Sequence, residues 1–476
     1  MSVLVGDLVL SMDRLFERLR AGVRNADICG RLVLVSVTQR VPATDPLRFY
    51  AGWSDPHVHR AYWERPDTGH SLVGIGAVRT LQSPGAHQAS DLACRWEELL
   101  EDAVLDAGGA WGTGPVLLGG FAFDPGTPRT ANWENFPAGM FVLPRYSLAH
   151  SFDGAWLTIN AIVAPGDEPE QLGLTLASEF DATWTAIQAM APLSNDSPCT
   201  AVVVRDGGSA AAWKGAVARV AQEVRAGAVE KVVLARAVCA DANEPIPVAP
   251  TLDRLRQAYP HCTVFAVAAG GATFLGATPE RLVSLKGREV RVSSIAGSRP
   301  RSMDPVEDNR FGEELLGSVK DRDEHEVVTR SLVGTLRKVC SVVHAPPAPV
   351  LLQLSNVQHL YTPLTGCAAA GQSVLHLVER LHPTPAVGGA PRVEALRLIR
   401  EHEGLDRGWY AGPVGWMDIW GQGEFVVAIR SALVHGSEAM LFAGCGIVGG
   451  SDPDAEYFES RLKLEPVQRA LGVVNA

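Results

Sequence analysis

SVKDRDEHEVVTRSLVGTLRKV, residues 318–339, is the stretch from which the rest of the chain is read. Val319, Val327, Val328, Leu332, Val333, Leu336 and Val339 recur at helical spacing and predict a helix with one face on a core. Asp321 and Glu324, three apart, fall on one side of that helix, one turn above the other. A second stretch near the C-terminus, SDPDAEYFESRLKLEPV, repeats the pattern with Glu456 and Glu459, followed four residues later by Lys463. Charges at such spacing usually make a solvated helix face with local ion pairs. Two helices that each offer a carboxylate pair have a second use. They can hold a hard cation between them, and magnesium takes oxygen ligands while keeping waters or substrate oxygens in its other positions.

The composition bounds the partners. The 476 residues are 46% hydrophobic and 20% charged, the profile of a folded chain able to bury a sizeable core. A net charge of −11 with no Lys/Arg-rich run argues against a nucleic-acid partner. Eight cysteines without CxxC or Cys/His spacing are expected to be reduced, mostly buried thiols, which suits the cytoplasm. The opening MSVLVGDLVLSMDRLFERLR lacks the pattern of a signal peptide, and no apolar run is long enough to span a membrane.

Outward from the opening stretch, helices are expected over 9–25, 88–107, 166–190, 208–227, 308–341, 371–381, 391–404 and from about 453. Strands are expected at 32–38, within FYAGWSD (49–55), SLVGIGAVRTL (71–81), PVLLGGFAFDP (115–125) and PAGMFVLPRYSL (137–148), and at 155–163 and 229–238. Further strands are expected at 262–269, 272–276, 281–285, 289–294, 410–419, 423–434 and 439–443. Consecutive strands on short turns, with helices in separate runs, predict layered α+β architecture. The loop-like composition of Met190–Cys199 suggests a boundary between an N-terminal half, 1–200, and a core, 205–470.

Several residues sit oddly in these elements. Lys231 lies in the apolar run VEKVVLARAV (229–238), at a strand end, snorkelling, or buried with a lowered pKa. Glu280 follows a Thr-Pro turn in FLGATPERLVSL (274–285), and SSIAGSRPR (293–301) reads as a glycine-containing turn with two arginines. Arg430, an isolated charge in FVVAIRSALV (425–434), needs an anion if buried, and a ligand carboxylate would serve. Gly444–Gly449, GCGIVG, matches the dinucleotide fingerprint GxGxxG. However, too little chain follows for a second strand, and Asp452, Asp454, Glu456 and Glu459 would repel a pyrophosphate. The same glycines beside a helix start would suit a small carboxylate. Ser451 with Asp454 resembles a capping box, and Pro453 suits a first turn.

In this order, VEKVVLARAV, FLGATPERL, SIAGSRPR, KDRDEHEVV, NVQHL (356–360), LHPTPAVGGAPR (381–392), WYAGPVGW (409–416), VVAIRSALV, AGCGIV and EYFESRLKL resemble the chorismate-utilising enzymes over residues 205–470. GGFAFDP and WENFPAGMFVLPR extend the likeness to the menaquinone-type isochorismate synthases. The resemblance implies one large chorismate-binding α+β domain of two layered, mainly antiparallel sheets flanked by helices, with magnesium as cofactor and chorismate as substrate. It further implies Lys231 as general base toward water, Glu280 as general acid, Glu324 and Glu459 as direct magnesium ligands, and Asp321 and Glu456 as supporting carboxylates. Tyr410, Arg430, Lys463, His359, Gly297, Ser298 and the amides of Gly444 and Gly446 match groups around the substrate. Asp321 is shorter than the glutamate of some relatives, which bears on its direct contact with the metal. Ala296 stands where aminodeoxychorismate synthases carry a nucleophilic lysine, so the attacking group is water or ammonia. KDRDEHE and HPTPAVGG favour isochorismate synthase, for menaquinone or a siderophore, over salicylate synthase and anthranilate synthase component I. A monomer without an amidotransferase subunit is the corresponding expectation. A non-catalytic chorismate-binding protein would have lost Lys231 or Glu280, and a magnesium phosphohydrolase would show a phosphate-cradling loop.

Overall fold

Strands that are apolar on both faces need cover on both, and this chain covers them with a second sheet on one side and helices on the other. The computed structural model describes residues 2–5, 8–53, 55–106, 109–190, 202–206 and 208–473. Among these lie eleven α-helices and two large sheets of thirteen and ten strands, antiparallel throughout except where Val104–Asp106 runs parallel to Val33–Val41. Between the sheets, Leu118 and Trp416 of the smaller pack on Ala61, Trp63 and Leu72 of the larger, while Phe121, Phe141 and Phe425 cluster on the smaller sheet's other face. A second core packs the helices Met12–Cys29, Pro169–Ala189, Val248–Ala258 and Pro453–Leu471 on the outer face of the larger sheet. The expected two-layered α+β class is the one observed.

Both sheets contain strands from before and after residue 200. Arg60–Arg65 pairs with Thr263–Ala269 in one, and Leu117–Phe121 with Pro413–Met417 in the other. The proposed boundary at Met190–Cys199 lies, apart from Met190, outside the described residues. The loop GTPRTANWENF (126–136) is mostly exposed but anchored by Trp133 and Phe136, with Trp133 at 5.3 Å from Phe274 and Phe136 at 5.3 Å from Trp409.

Several expected elements differ. FYA (49–51) belongs to the helix Pro46–Ala51, with Gly52 as its C-cap, not to a strand. Asp45 caps it by accepting the Leu47 amide at 3.0 Å, Pro46 opens it, and its face buries Phe49 and Tyr50. The helix expected over 88–107 stops at Leu100, and Val104–Asp106 turns back as a strand. The helix over 308–341 is two, Pro305–Gly317 and Val319–Leu336, broken at Ser318, whose hydroxyl accepts the Asp321 amide at 3.3 Å. Cys340–His344, Val350–Gln353 and Val357–Ala368 are strands without a counterpart in the expected pattern. PAGMFVLPRYSL and 423–434 each divide into two strands that belong to different sheets. The described cysteines are free thiols, of which Cys262 and Cys445 are buried while Cys29 and Cys94 are exposed; Cys199 lies outside the described residues. No helix among the described residues is long and apolar enough to cross a membrane.

Candidate active site

The chain crosses from sheet to sheet at two adjoining corners, and the site is built there. At the first, Ala272–Thr278 of the larger sheet leads through Pro279 and Glu280 into Arg281–Lys286 of the smaller. At the second, Gly423–Val427 returns through Ala428, Ile429 and Arg430 to Ser431–His435. The corners bond to each other: the Val427 amide donates to the Glu280 carbonyl at 3.0 Å, and the Thr278 hydroxyl to the Val427 carbonyl at 2.7 Å. Arg430 adopts φ 52° at the switch, a conformation unusual for a side chain of its size, so it lies between strands and not within one.

Around these corners is a cavity of about 130 Å³ lined by every site residue singled out in the sequence. Lys231, first residue of the strand Lys231–Ala242, stands at the strand end yet is only 2% exposed, and it pairs through Nζ with Glu324 Oε1 at 2.8 Å, so it does not snorkel. Gly446 on the neighbouring strand makes room for that pair, since a Cβ there would stand 2.6 Å from both Glu324 Oε1 and Lys231 Cε. Gly444 and Gly446 belong to the strand Glu438–Ile447, in register with Ala235 and Val233; they do not sit beside the helix start. That start is capped by Asp452, which accepts the amides of Asp454 and Ala455, while Ser451 accepts the Val448 amide. SSIAGSRP is not a turn: it lies in the strand Glu289–Pro300, with a bulge at Gly297 (φ 72°) and Arg301 just beyond the strand's end. The Gly297 carbonyl can only accept, so His359 Nδ1, at 3.0 Å, carries the proton; the Ser298 hydroxyl lies at the same distance.

The four helix carboxylates each meet a cation through one oxygen. Besides Glu324 with Lys231, Glu459 Oε1 binds Lys463 at 2.6 Å, Asp321 Oδ2 binds Arg299 at 3.0 Å and Glu456 Oε1 faces Lys320 at 3.6 Å. Glu456 and Glu459 present oxygens within 4.8 Å of one another and of the Cys445 sulfur. Burial and the neighbouring Glu459 charge push the Glu456 carboxyl up, whereas at Glu459 burial is outweighed by the Lys463 ammonium and the carboxyl is held low. Glu324, Glu456 and Glu459 all raise the Cys445 thiol electrostatically, after burial itself, which puts the three charges in one neighbourhood. Crowded, oxygen-rich donors with a second oxygen apiece fit a hard divalent ion.

Burial raises the Glu280 carboxyl to about 7, against the attraction of Lys231 and Lys463, so near neutral pH about half the molecules carry a proton there. His359 is kept neutral, its pKa lowered to about 3 by burial and by Arg430. Arg430 is buried, and its Nη1 has no hydrogen-bond partner. A buried guanidinium with an open donor is a carboxylate receptor. Tyr410 stacks on Phe442 at 5.1 Å beside it.

Residues 22–472 match the family described as chorismate binding enzyme. The chain belongs to the chorismate-binding enzymes. It is 35% identical, over 98% of its length and 99% of the other's, to isochorismate synthase MenF of Bacillus subtilis. It is 36% identical, over 97% of its length and 94% of the other's, to the salicylate biosynthesis isochorismate synthase of Pseudomonas aeruginosa. Among solved structures, the menaquinone-specific isochorismate synthase MenF of Escherichia coli superposes with a TM-score of 0.77 at 25% identity, covering 97% of this chain and 100% of that one. Anthranilate synthase component I of Streptococcus pneumoniae, at 19% identity and a TM-score of 0.68 over 84% of this chain and 92% of that one, shares the fold.

This chorismate-binding enzyme also lines its cavity with residues that the sequence did not single out. Lys320 is flagged only by its place before Asp321, and Arg299 only by its place in SIAGSRPR. Arg407, buried in ion pairing with Glu403, had one signal, a charge directly before GWYAGP.

Proposed function

We propose that this chain is an isochorismate synthase, converting chorismate to isochorismate by adding water at ring carbon C2, shifting the ring diene and expelling the C4 hydroxyl. The observation that carries this reading is a buried amine and a buried, proton-holding carboxyl on one cavity, Lys231 and Glu280. Such an exchange needs a base for the incoming water and an acid for the departing hydroxyl. Lys231 Nζ takes the proton of the attacking water as the C2–O bond forms. Glu280 gives its proton to the C4 oxygen as that bond breaks, and a second water leaves. The two residues then re-equilibrate their protons with solvent, so the net reaction is an isomerisation.

Arg430, with its open Nη1, and Lys463 receive the substrate carboxylates, with Tyr410, His359, Ser298 and the backbone of Gly297, Gly444 and Gly446 closing around the ring. Glu324 and Glu459 are the direct magnesium ligands in this proposal, with Asp321 and Glu456 in support. When bound, magnesium neutralises a substrate carboxylate and polarises the ring. We assign the enzyme to the cytoplasm, acting as a monomer without an amidotransferase subunit and supplying menaquinone or siderophore synthesis. The menaquinone-specific naming of the Escherichia coli MenF structure supports the menaquinone part of that assignment, and the free cysteines suit the cytoplasm.

The deciding experiment incubates pure protein with chorismate and magnesium, with and without ammonia, and separates isochorismate, salicylate and anthranilate. Isochorismate alone is expected. Salicylate or anthranilate as the main product would replace this reading with the corresponding synthase. Lys231→Ala is expected to lose activity by at least about 100-fold with normal folding; full activity in that variant would remove the base assignment.

A further inference from the structure

The strand that begins with Lys231 is paired along one side by Glu438–Ile447 but lacks a continuous partner on the other. Gly389–Ala390 faces Lys231 and Val232, and Val202–Asp206 faces Val238–Ala242. Between these two short partners the edge at Val233 and Ala235 is served mainly by side chains. The Val233 amide donates to the Gly388 carbonyl at 2.9 Å, and its carbonyl accepts from Arg407 Nη2 at 2.8 Å. The Ala235 amide donates to Glu403 Oε2 at 2.7 Å, and its carbonyl accepts from Trp213 Nε1 at 3.2 Å.

Arg407 and Glu403 are themselves joined, Nε to Oε1 at 2.6 Å, with side chains 3% and 1% exposed. Arg407 Nη1 donates to the Val387 carbonyl at 2.9 Å, and the guanidinium lies 4.1 Å from the Phe123 ring centroid. Arg407 is therefore unlike Arg430. Both line the cavity, but the donors of Arg407 are committed to Glu403 and to two backbone carbonyls, so it has little left for a ligand. A buried ion pair seldom stabilises a protein more than apolar residues of the same volume, so its presence calls for another role.

We propose that the Arg407–Glu403 pair is a positioning device that stands in for the missing edge strand and fixes the backbone from which Lys231 projects. This rests on the reading of Lys231 as the base of the isochorismate synthase reaction. Val233 and Ala235 lie two and four residues beyond Lys231 on the same strand, and Val387 ties in the loop before Gly389, whose own strand faces Lys231. Slack at this edge moves the Lys231 amine and, through the Val233–Gly446 and Ala235–Gly444 pairs, two glycines of the site, whereas Arg430, Lys463, Tyr410 and His359 stand on other elements, so the loss falls mainly on turnover and less on binding.

The test is the paired replacement Arg407→Met with Glu403→Leu, which removes both charges together and leaves no buried ion unpaired. The double variant is expected to fold with a lowered melting temperature, because the Ala235 amide and the Val233 and Val387 carbonyls lose their partners, and to exchange amide hydrogens faster in the 231–236 segment. Its kcat should fall at least tenfold, while KM for chorismate and the magnesium dependence stay within threefold. Wild-type turnover per folded molecule, with faster exchange or without it, would overturn the proposal. If the double variant does not fold, Arg407→Lys is measured instead. It keeps a charge opposite Glu403 but cannot span the Val233 and Val387 carbonyls, and the same split between kcat and KM is expected. Glu403→Gln, which retains an acceptor for the Ala235 amide, should keep more turnover than Glu403→Ala; equal losses would count against the edge. A wild type that makes no isochorismate would overturn the function proposed above. Exchange in the 231–236 segment would still report on the edge in that case.

Discussion

Glu280 is still about half protonated at pH 7 because the corner between the sheets strips it of water, and that condition has a measurable cost. Its folded pKa, about 7, stands above the ordinary 4.5, so the folded state binds the proton more tightly than the unfolded state. This contribution to stability is present at low pH and is lost as pH rises through 7. Glu280→Gln should therefore melt higher than the wild type at pH 8, by a stability difference on the order of 3 kcal/mol, with the gain vanishing below about pH 4.5. The same variant should be almost inactive, and wild-type turnover should decline as pH passes 7 and the acid is lost. Melting curves and rates across pH 4–8.5 check both. Gly446→Ala is the complementary case. Its methyl would meet Glu324 Oε1 and Lys231 Cε at 2.6 Å, so activity should fall at least about tenfold through displacement of that pair, with folding retained by circular dichroism.

The helix Val319–Leu336 carries Asp321 and Glu324, and its buried stripe is Asp321, His325, Val328, Leu332 and Leu336. Val319, expected on the apolar face, is 73% exposed at the first turn, and a histidine takes a core position instead. His325 Nε2 meets Thr362 Oγ1 at 2.8 Å and Ser294 meets Thr329 at 2.8 Å, so two polar contacts set this helix on the smaller sheet. His325 Nδ1 is already without a partner. Thr362→Val would leave both ring nitrogens buried and unpaired, costing about 1–3 kcal/mol in denaturant unfolding. Because Glu324 is the neighbouring residue, the variant should also need more magnesium for half-maximal activity. An unchanged magnesium requirement would show that the helix register does not depend on this contact.

At the scale of the molecule, two of the crossings between sheets bring Glu280 and Arg430 to the cavity, and packing of the helices Val319–Leu336 and Pro453–Leu471 brings the carboxylates to it. Glu459→Gln should leave the melting temperature of metal-free protein nearly unchanged, because it removes repulsion on Glu456 while freeing Lys463. The stabilisation by magnesium, about 2.7 kcal/mol at a hundredfold excess over Kd, should shrink at the same concentration. All the proposed site residues follow residue 205, yet strands from residues 33–163 complete both sheets. A fragment of residues 205–476 is thus expected to be insoluble or molten, with Thr263–Ala269 and Pro413–Met417 left as open apolar edges, and a cooperative melt of that fragment would contradict this.

Residue pattern alone determined the α+β layering, most strands and both acidic helix turns, because apolar period and carboxylate spacing are local properties of the chain. The motif order determined the family. Sheet membership was not local: 423–434 and PAGMFVLPRYSL each read as one strand, and only packing reveals that each changes sheet midway. Whether a lone charge is snorkelled or buried was likewise undecided for Lys231 until the tertiary structure placed Glu324 against it. The edge role of Arg407 and Glu403 was invisible for the same reason, since an unpaired backbone edge exists only once the strands beside it have been counted.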